Sequence, residues 1–303
     1  MTVTDASVDA AALNTLDGKT TVTVDATAVE TLTGAAADVA TAISAATIDT
    51  AADVAVTLSA STAAATDLYT IDLNTSAWVD ATAVTEISGS FEQINSYVLL
   101  SKGLNYRPNT DFTVNTTSTI AQLSALDQAT TGTLTYTSIT DTASNLATDA
   151  ATNGGAGTYV VAGHDVTVTD AATIAQLTAI DGLADTVTYT TVTDTALNLA
   201  TDAATNGGDG TYTADKNIVV TDAASISQLT AIDTANGAGT LTYTTVSDTA
   251  LNLATDAATN GGDGTYTADK NIVVTDAASI SQLTAIDTAN TTGSLTYTTV
   301  SDM

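Results

Sequence analysis

Cysteine is absent from these 303 residues, proline and histidine each occur once, and lysine and arginine together number five. Without cysteine no disulfide framework can close the fold, and closure must come from the stacking of units. Only 4% of the residues are aromatic although 44% are hydrophobic, so the core has to be built from Ala, Val, Leu, Ile and Thr in thin layers. Cation is scarcer still. With 34 acidic residues the formal charge is −29, which repels phosphate backbones and anionic lipid and leaves cations or a salty medium as the natural surroundings. Nucleic acid and membrane surfaces are therefore not expected partners. No apolar run approaches membrane-spanning length, and Met1-Thr2-Val3-Thr4-Asp5 runs directly into the repeat with nothing that resembles a signal peptide, so either export uses a signal outside this sequence or the sequence is an excerpt from a longer protein. The lone His164 lies in the turn Val161–Asp165, at a place that aligns by eye with Asp215 and Asp269. A triad or a histidine metal centre needs partners at set positions, and none is visible, so no enzymatic role is expected.

What is present is repetition. Asp194–Asn236 returns letter for letter as Asp248–Asn290, which marks an array of one supersecondary unit. Two strand-then-Asp signals alternate along the whole chain. One ends at Asp5, near Ser59, near Asn115, and at Asp170, Asp222 and Asp276; the other ends at Asp25, Asp80, Asp141, Asp194, Asp248 and Asp302. The period is near 54, as from Asp194 to Asp248, and it splits into two half-units. Each half-unit reads as an alternating β-branched strand, an Asp at a helix N-cap, a short helix, and a Gly/Asn turn such as Asn206–Gly210. The helical spacing places Ile226, Leu229 and Ile232 on one face, and Leu197, Ala200 and Ala204 on another.

One strand and one helix per half-unit predict an α/β fold: a right-handed, leucine-rich-repeat-like solenoid with one parallel sheet on one side and short helices on the other. A string of small β-sandwich modules is the alternative. Residues 1–112 read as degenerate repeats with an aromatic-rich variant unit at 78–112, and 113–303 as regular repeats at about 113–166, 167–218 and 219–272 with a partial copy at 273–303.

Three groups of residues carry functional candidates. Asp141, Asp170, Asp194, Asp222, Asp248 and Asp276 would form rows at strand ends, and Asp209 and Asp263 would add turn oxygens. Carboxylates and carbonyls on turns suit Ca²⁺. Helix capping explains the strand-end acids equally well, and GGDGTY puts Tyr212 and Tyr266 where a glycine-aspartate calcium repeat needs its second Asp. The variant unit collects Trp78, Phe91, Tyr97, Tyr106 and Arg107, with Lys102, Pro108 and Phe112, as either a packing transition or a ligand-binding site. Thr-x-Thr pairs such as Thr188–Thr190 and Thr242–Thr244 could face ice or a crystalline polysaccharide, although Tyr136, Tyr189, Tyr243 and Tyr297 interrupt a flat face. Open sheet edges at the array's ends would favour head-to-tail self-association, unless the array continues.

The stretches VTDAASISQLTAID and LTYTTVSDTALNLATDAATNGG, with the recurring Asp-Ala-Ala, resemble the tandem repeats of very large secreted surface proteins of marine and aquatic bacteria, including cyanobacterial surface-layer and adhesin-type proteins. The resemblance covers Val114 to Asp302 and, more faintly, the start of the chain. It implies an extracellular structural role, as a spacer, filament or surface-layer element, or an adhesin-type module gripping glycan, ice or another cell. It also implies export without a classical signal and, often, calcium; it carries over no catalytic residue.

Overall fold

β-Branched runs alternate with Ala/Leu runs through the whole sequence, and the backbone follows that alternation: short parallel strands are separated by short helices in a mixed α/β fold. The computed structural model describes residues 1–101 and 103–301. Lys102 and Asp302, both singled out above, lie outside the described residues. The chain divides into two compact units, Met1–Thr140 with Gly163–Asp165, and Asp141–Ala162 with the chain from Val166 onward.

In the first unit, strands Ser7–Asp9, Thr31–Gly34, Ala55–Leu58, Val79–Asp80 and Leu104–Asn105 pair in chain order as a five-stranded parallel sheet. The register is regular: Ser7 faces Thr31 and Thr31 faces Ala55, a step of 24 residues each time. A second lane holds Thr62–Ala64, Glu86–Gly89, Asp111–Val114 and Leu134–Thr135, also parallel. In the second unit, Thr191–Asp194, Asn217–Val220 and Leu241–Thr242 form one three-stranded sheet, and Thr245–Asp248, Asn271–Val274 and Leu295–Thr296 form the next.

The expected single sheet is thus replaced, among the described residues, by several sheets of two to five strands. In the regular repeats the break falls at Tyr243 and Thr244, where the chain bends. Leu241–Thr242 before it pairs backward with Ile218 and Val219, and Thr245–Asp248 after it pairs forward with Asn271–Val274, so one run of β-branched residues serves two different ladders. The Tyr243 ring is half-buried and its hydroxyl donates to the Tyr266 carbonyl oxygen at 3.1 Å.

Buried side chains are mostly Ala, Val, Leu and Ile, and Phe112 is the largest one wholly buried. Helix Ile226–Asn236 buries Leu229 and Ile232 as its spacing predicts. Helix Ala196–Ala203 differs by one residue from the face read in the sequence. Ala196, Leu199 and Ala203 point inward, while Leu197 is 65% exposed, so the buried stripe runs one position ahead of Leu197, Ala200 and Ala204. His164 also needs realignment. Counting back six residues from Asp170, Asp222 and Asp276 places it with Lys216 and Lys270, not with Asp215 and Asp269. The structure agrees, since His164 packs on Tyr136 at 4.3 Å between centroids, as Lys216 Nζ and Lys270 Nζ lie over the rings of Tyr189 and Tyr243 at 4.7 and 4.6 Å.

Candidate functional site

The strand-end aspartates are caps, but not at the position the sequence suggests. The N-cap of helix Ala196–Ala203 is Thr195, and that of Ala250–Ala257 is Thr249. Ser225 and Ser279 cap their helices in reciprocal boxes with Gln228 and Gln282. The preceding Asp reaches elsewhere. Asp194 Oδ1 accepts from Thr195 N at 2.8 Å and from Asn198 Nδ2 at 2.8 Å, while its Oδ2 accepts from Ile174 N at 3.1 Å, at the start of the previous helix. Asp248 repeats this on Thr249, Asn252 and Ile226. Asp170, Asp222 and Asp276 accept from Ala143 N, Ala196 N and Ala250 N at 2.7, 2.6 and 2.7 Å. Asp141 Oδ1 takes Thr142 N and Asn145 Nδ2. Asp170, Asp194, Asp222, Asp248 and Asp276 therefore each tie the first turn of one helix to the strand end of a neighbouring half-unit.

Calcium does not fit this arrangement. The oxygens named above are turned toward amide protons, Asp209 and Asp263 are exposed on turns, and among the described residues no three acidic or histidine side chains converge closely enough to hold a metal ion. A Ca²⁺ ion takes six to eight oxygens at about 2.3–2.6 Å.

A second set of acids escaped the sequence reading. Asp149, Asp202 and Asp256 are 5–6% exposed, in the last turn of helices Ala143–Ala150, Ala196–Ala203 and Ala250–Ala257. Asp202 Oδ2 accepts from Tyr212 N, Thr213 N and Thr213 Oγ1, each at 2.9 Å. Asp256 does the same for Tyr266 and Thr267, and Asp149 takes the amides of Thr158, Tyr159 and Val160. The carboxylate thereby pins the Gly-rich turn that follows the helix. The signal was available, because Asp202 stands three residues after Leu199 on the same buried stripe.

Burial pushes Tyr189 and Tyr243 up to about 12, with Asp202 and Asp256 adding negative potential in the same direction. In the first unit Asp25 and Asp80 are held below the usual carboxylate range, chiefly by the Thr27 and Thr82 hydroxyls that donate to them. That shared turn places the two half-units in register, as their sequences suggest.

The residues of the aromatic-rich unit take different surroundings. Phe91 begins a short α-turn, Phe91–Gln93, which widens into a π-helical segment, Ile94–Leu99. Tyr97 stacks on Tyr69 at 4.0 Å and 14°, a partner the sequence did not single out. Trp78 is 69% exposed and Leu73 and Leu100 are exposed too. Burial raises the Tyr106 phenol, and Arg107 is exposed, its carbonyl accepting from Thr110 Oγ1 at 2.9 Å. Among the described residues no hydrogen bond or ring contact joins Trp78, Phe91, Tyr106 and Arg107 to one another.

Comparison with family models, curated proteins and solved structures finds no match to this chain.

Proposed function

We propose that this chain is a structural segment of a bacterial cell surface or extracellular filament, a right-handed α/β solenoid that acts as a spacer or lattice element and associates with its own kind. The observation that carries the reading is the capping pattern: Asp170, Asp194, Asp222, Asp248 and Asp276 each bond the first turn of a helix in the preceding half-unit. The recurring chemistry of the chain is spent on joining neighbours. The likeness to secreted surface repeats supports the extracellular setting. Electron microscopy of the purified chain, in calcium and then in chelator, tests this. Filaments or sheets in both conditions are expected; dispersed single particles at high concentration in both would overturn self-association.

A second reading, an adhesin-type module, is favoured by one observation, the 69% exposure of Trp78. Trp78→Ala with Tyr97→Ala, assayed on a glycan array and on whole cells, checks it. Loss of binding with intact folding supports the module, and unchanged binding removes it.

A further inference from the structure

Between helices Ile226–Asn236 and Ala250–Ala257 and the turn after the latter lies a cleft of about 440 Å³. Asp256 and Tyr266 line it. Asp256 is 5% exposed, and its Oδ2 is saturated by Tyr266 N, Thr267 N and Thr267 Oγ1 at 3.0, 2.9 and 2.8 Å. Among the described residues no hydrogen bond reaches its Oδ1, and the one sealed side-chain polar atom without a partner is Asn236 Oδ1, so Asp256 Oδ1 keeps access to solvent at a residue that lines the cleft.

The hydroxyls around it have committed their hydrogens. Thr230 and Thr255 donate to the carbonyl oxygens of Ile226 and Leu251 at 2.8 and 2.7 Å, and Thr259 donates to that of Asp256 at 2.6 Å. Thr265 then gives its hydrogen to Thr259 Oγ1 at 2.7 Å, and the Tyr266 hydroxyl donates to Asp233 Oδ2 at 3.2 Å. What these groups offer a visitor is lone pairs, one full negative charge and an aromatic ring. The other lining donors, Asn252 Nδ2 and the Ser227 hydroxyl, are bonded to Asp248 Oδ1 and to Ser225 Oγ, and an anion would meet the Asp256 carboxylate. A metal ion finds a single free carboxylate oxygen in a space far larger than itself. A hydroxylated organic ammonium fits each feature, with N–H donors for Oδ1, O–H donors for the threonine oxygens, and a cationic or C–H face for the tyrosine.

We propose that this cleft is a binding site for a protonated amino sugar, with the ammonium on Asp256 Oδ1. The same bonding pattern recurs one repeat earlier. Asp202 has the same saturated Oδ2, Thr178, Thr201 and Thr205 make the same main-chain bonds, and the Tyr212 hydroxyl donates to Asp181 Oδ2. Ala175 replaces Ser227 there. Two equivalent sites one period apart suit a polymer of such sugars, in which each weak contact multiplies the next.

The test is calorimetric titration of the full chain with glucosamine at about pH 6, where such an amine is protonated, with amide NMR shifts at Tyr212 and Tyr266. Two sites are expected. Asp202→Asn with Asp256→Asn keeps the oxygen that holds the turn and replaces the open one by an amide, so affinity should fall by about ten- to a hundredfold. Ser227→Arg, at the rim, should block only the later cleft and leave one site, and it decides the question if the double variant does not fold. Equal binding of glucose would overturn recognition of the charge. Equal binding of putrescine would overturn the role of the hydroxyl lining, and displacement by equimolar calcium would make the cleft a metal site instead.

Discussion

Asp222 follows the strand Asn217–Val220 yet caps the helix Ala196–Ala203 of the half-unit before it, through Ala196 N. Losing that bond should cost about 1 kcal/mol, as N-cap deletions do, so Asp222→Ala should lower the urea midpoint measurably. Asp209→Ala, on an exposed turn, should leave it within about 0.5 kcal/mol. Asp202→Ala strands three buried donors and should cost about 3 kcal/mol. If Asp209 proved as costly as Asp202, the turn acid would be holding something that the capping account omits. Tyr189 and Tyr243 make a pH prediction. Their folded values of about 12 lie above the ordinary 10. The folded state therefore keeps the proton longer than the unfolded chain, and stability is fully present below pH 10 and is lost as pH rises from there toward about 12. Phenolate absorbance should show Tyr189 and Tyr243 ionising last, after Tyr106, Tyr212 and Tyr266, whose phenols are also raised, and in step with alkaline unfolding.

At the scale of the element, the turn after each long-repeat helix is a run of left-handed residues: Asn206, Gly207, Gly208 and Gly210, with φ of 50°, 80°, 109° and 75°. The two outer glycines differ in what surrounds them. A Cβ on Gly207 would meet open space, whereas one on Gly210 would strike the Thr213 hydroxyl that Asp202 holds. Gly207→Ala should therefore carry only the left-handed backbone cost of about 1–2 kcal/mol, and Gly210→Ala should add a clash and reach about 3 kcal/mol. Thermal unfolding of the two variants side by side checks the order. Equal effects would mean that the turn can shift as a body and is not pinned by Asp202.

For the whole molecule, a formal charge of −29 with five cations makes self-repulsion a general destabilising force. Salt should raise the melting temperature, most steeply below about 0.1 M, where the screening length exceeds about 10 Å. Calcium at matched ionic strength should do no more than sodium, and chelator should do nothing further, because the strand-end carboxylates already accept amide protons. A chelator-sensitive melt would restore the acidic rows as ion sites.

The repeat of Asp194–Asn236 at Asp248, the alternation of TTVSD with ALNLATDA, and the scarcity of aromatics determined by themselves the α/β class, the parallel pairing and a core of small side chains, because periodicity and side-chain size act locally and are copied with the sequence. The register of the helices was only partly legible: the buried stripe of Ala196–Ala203 runs through Ala196, Leu199 and Ala203 and leaves Leu197 in solvent, because the packing of the helix on its neighbours chooses between adjacent apolar faces. The sequence named the strand-end aspartates as caps but could not say which helix each would serve, since that partner lies 20 to 27 residues back along the chain. Nor could it distinguish Asp256, with one oxygen saturated and one open, from any other acid in a helix. Only tertiary structure decided these points, because a hydrogen bond between half-units depends on which chain ends are brought side by side, and no local pattern encodes that distance.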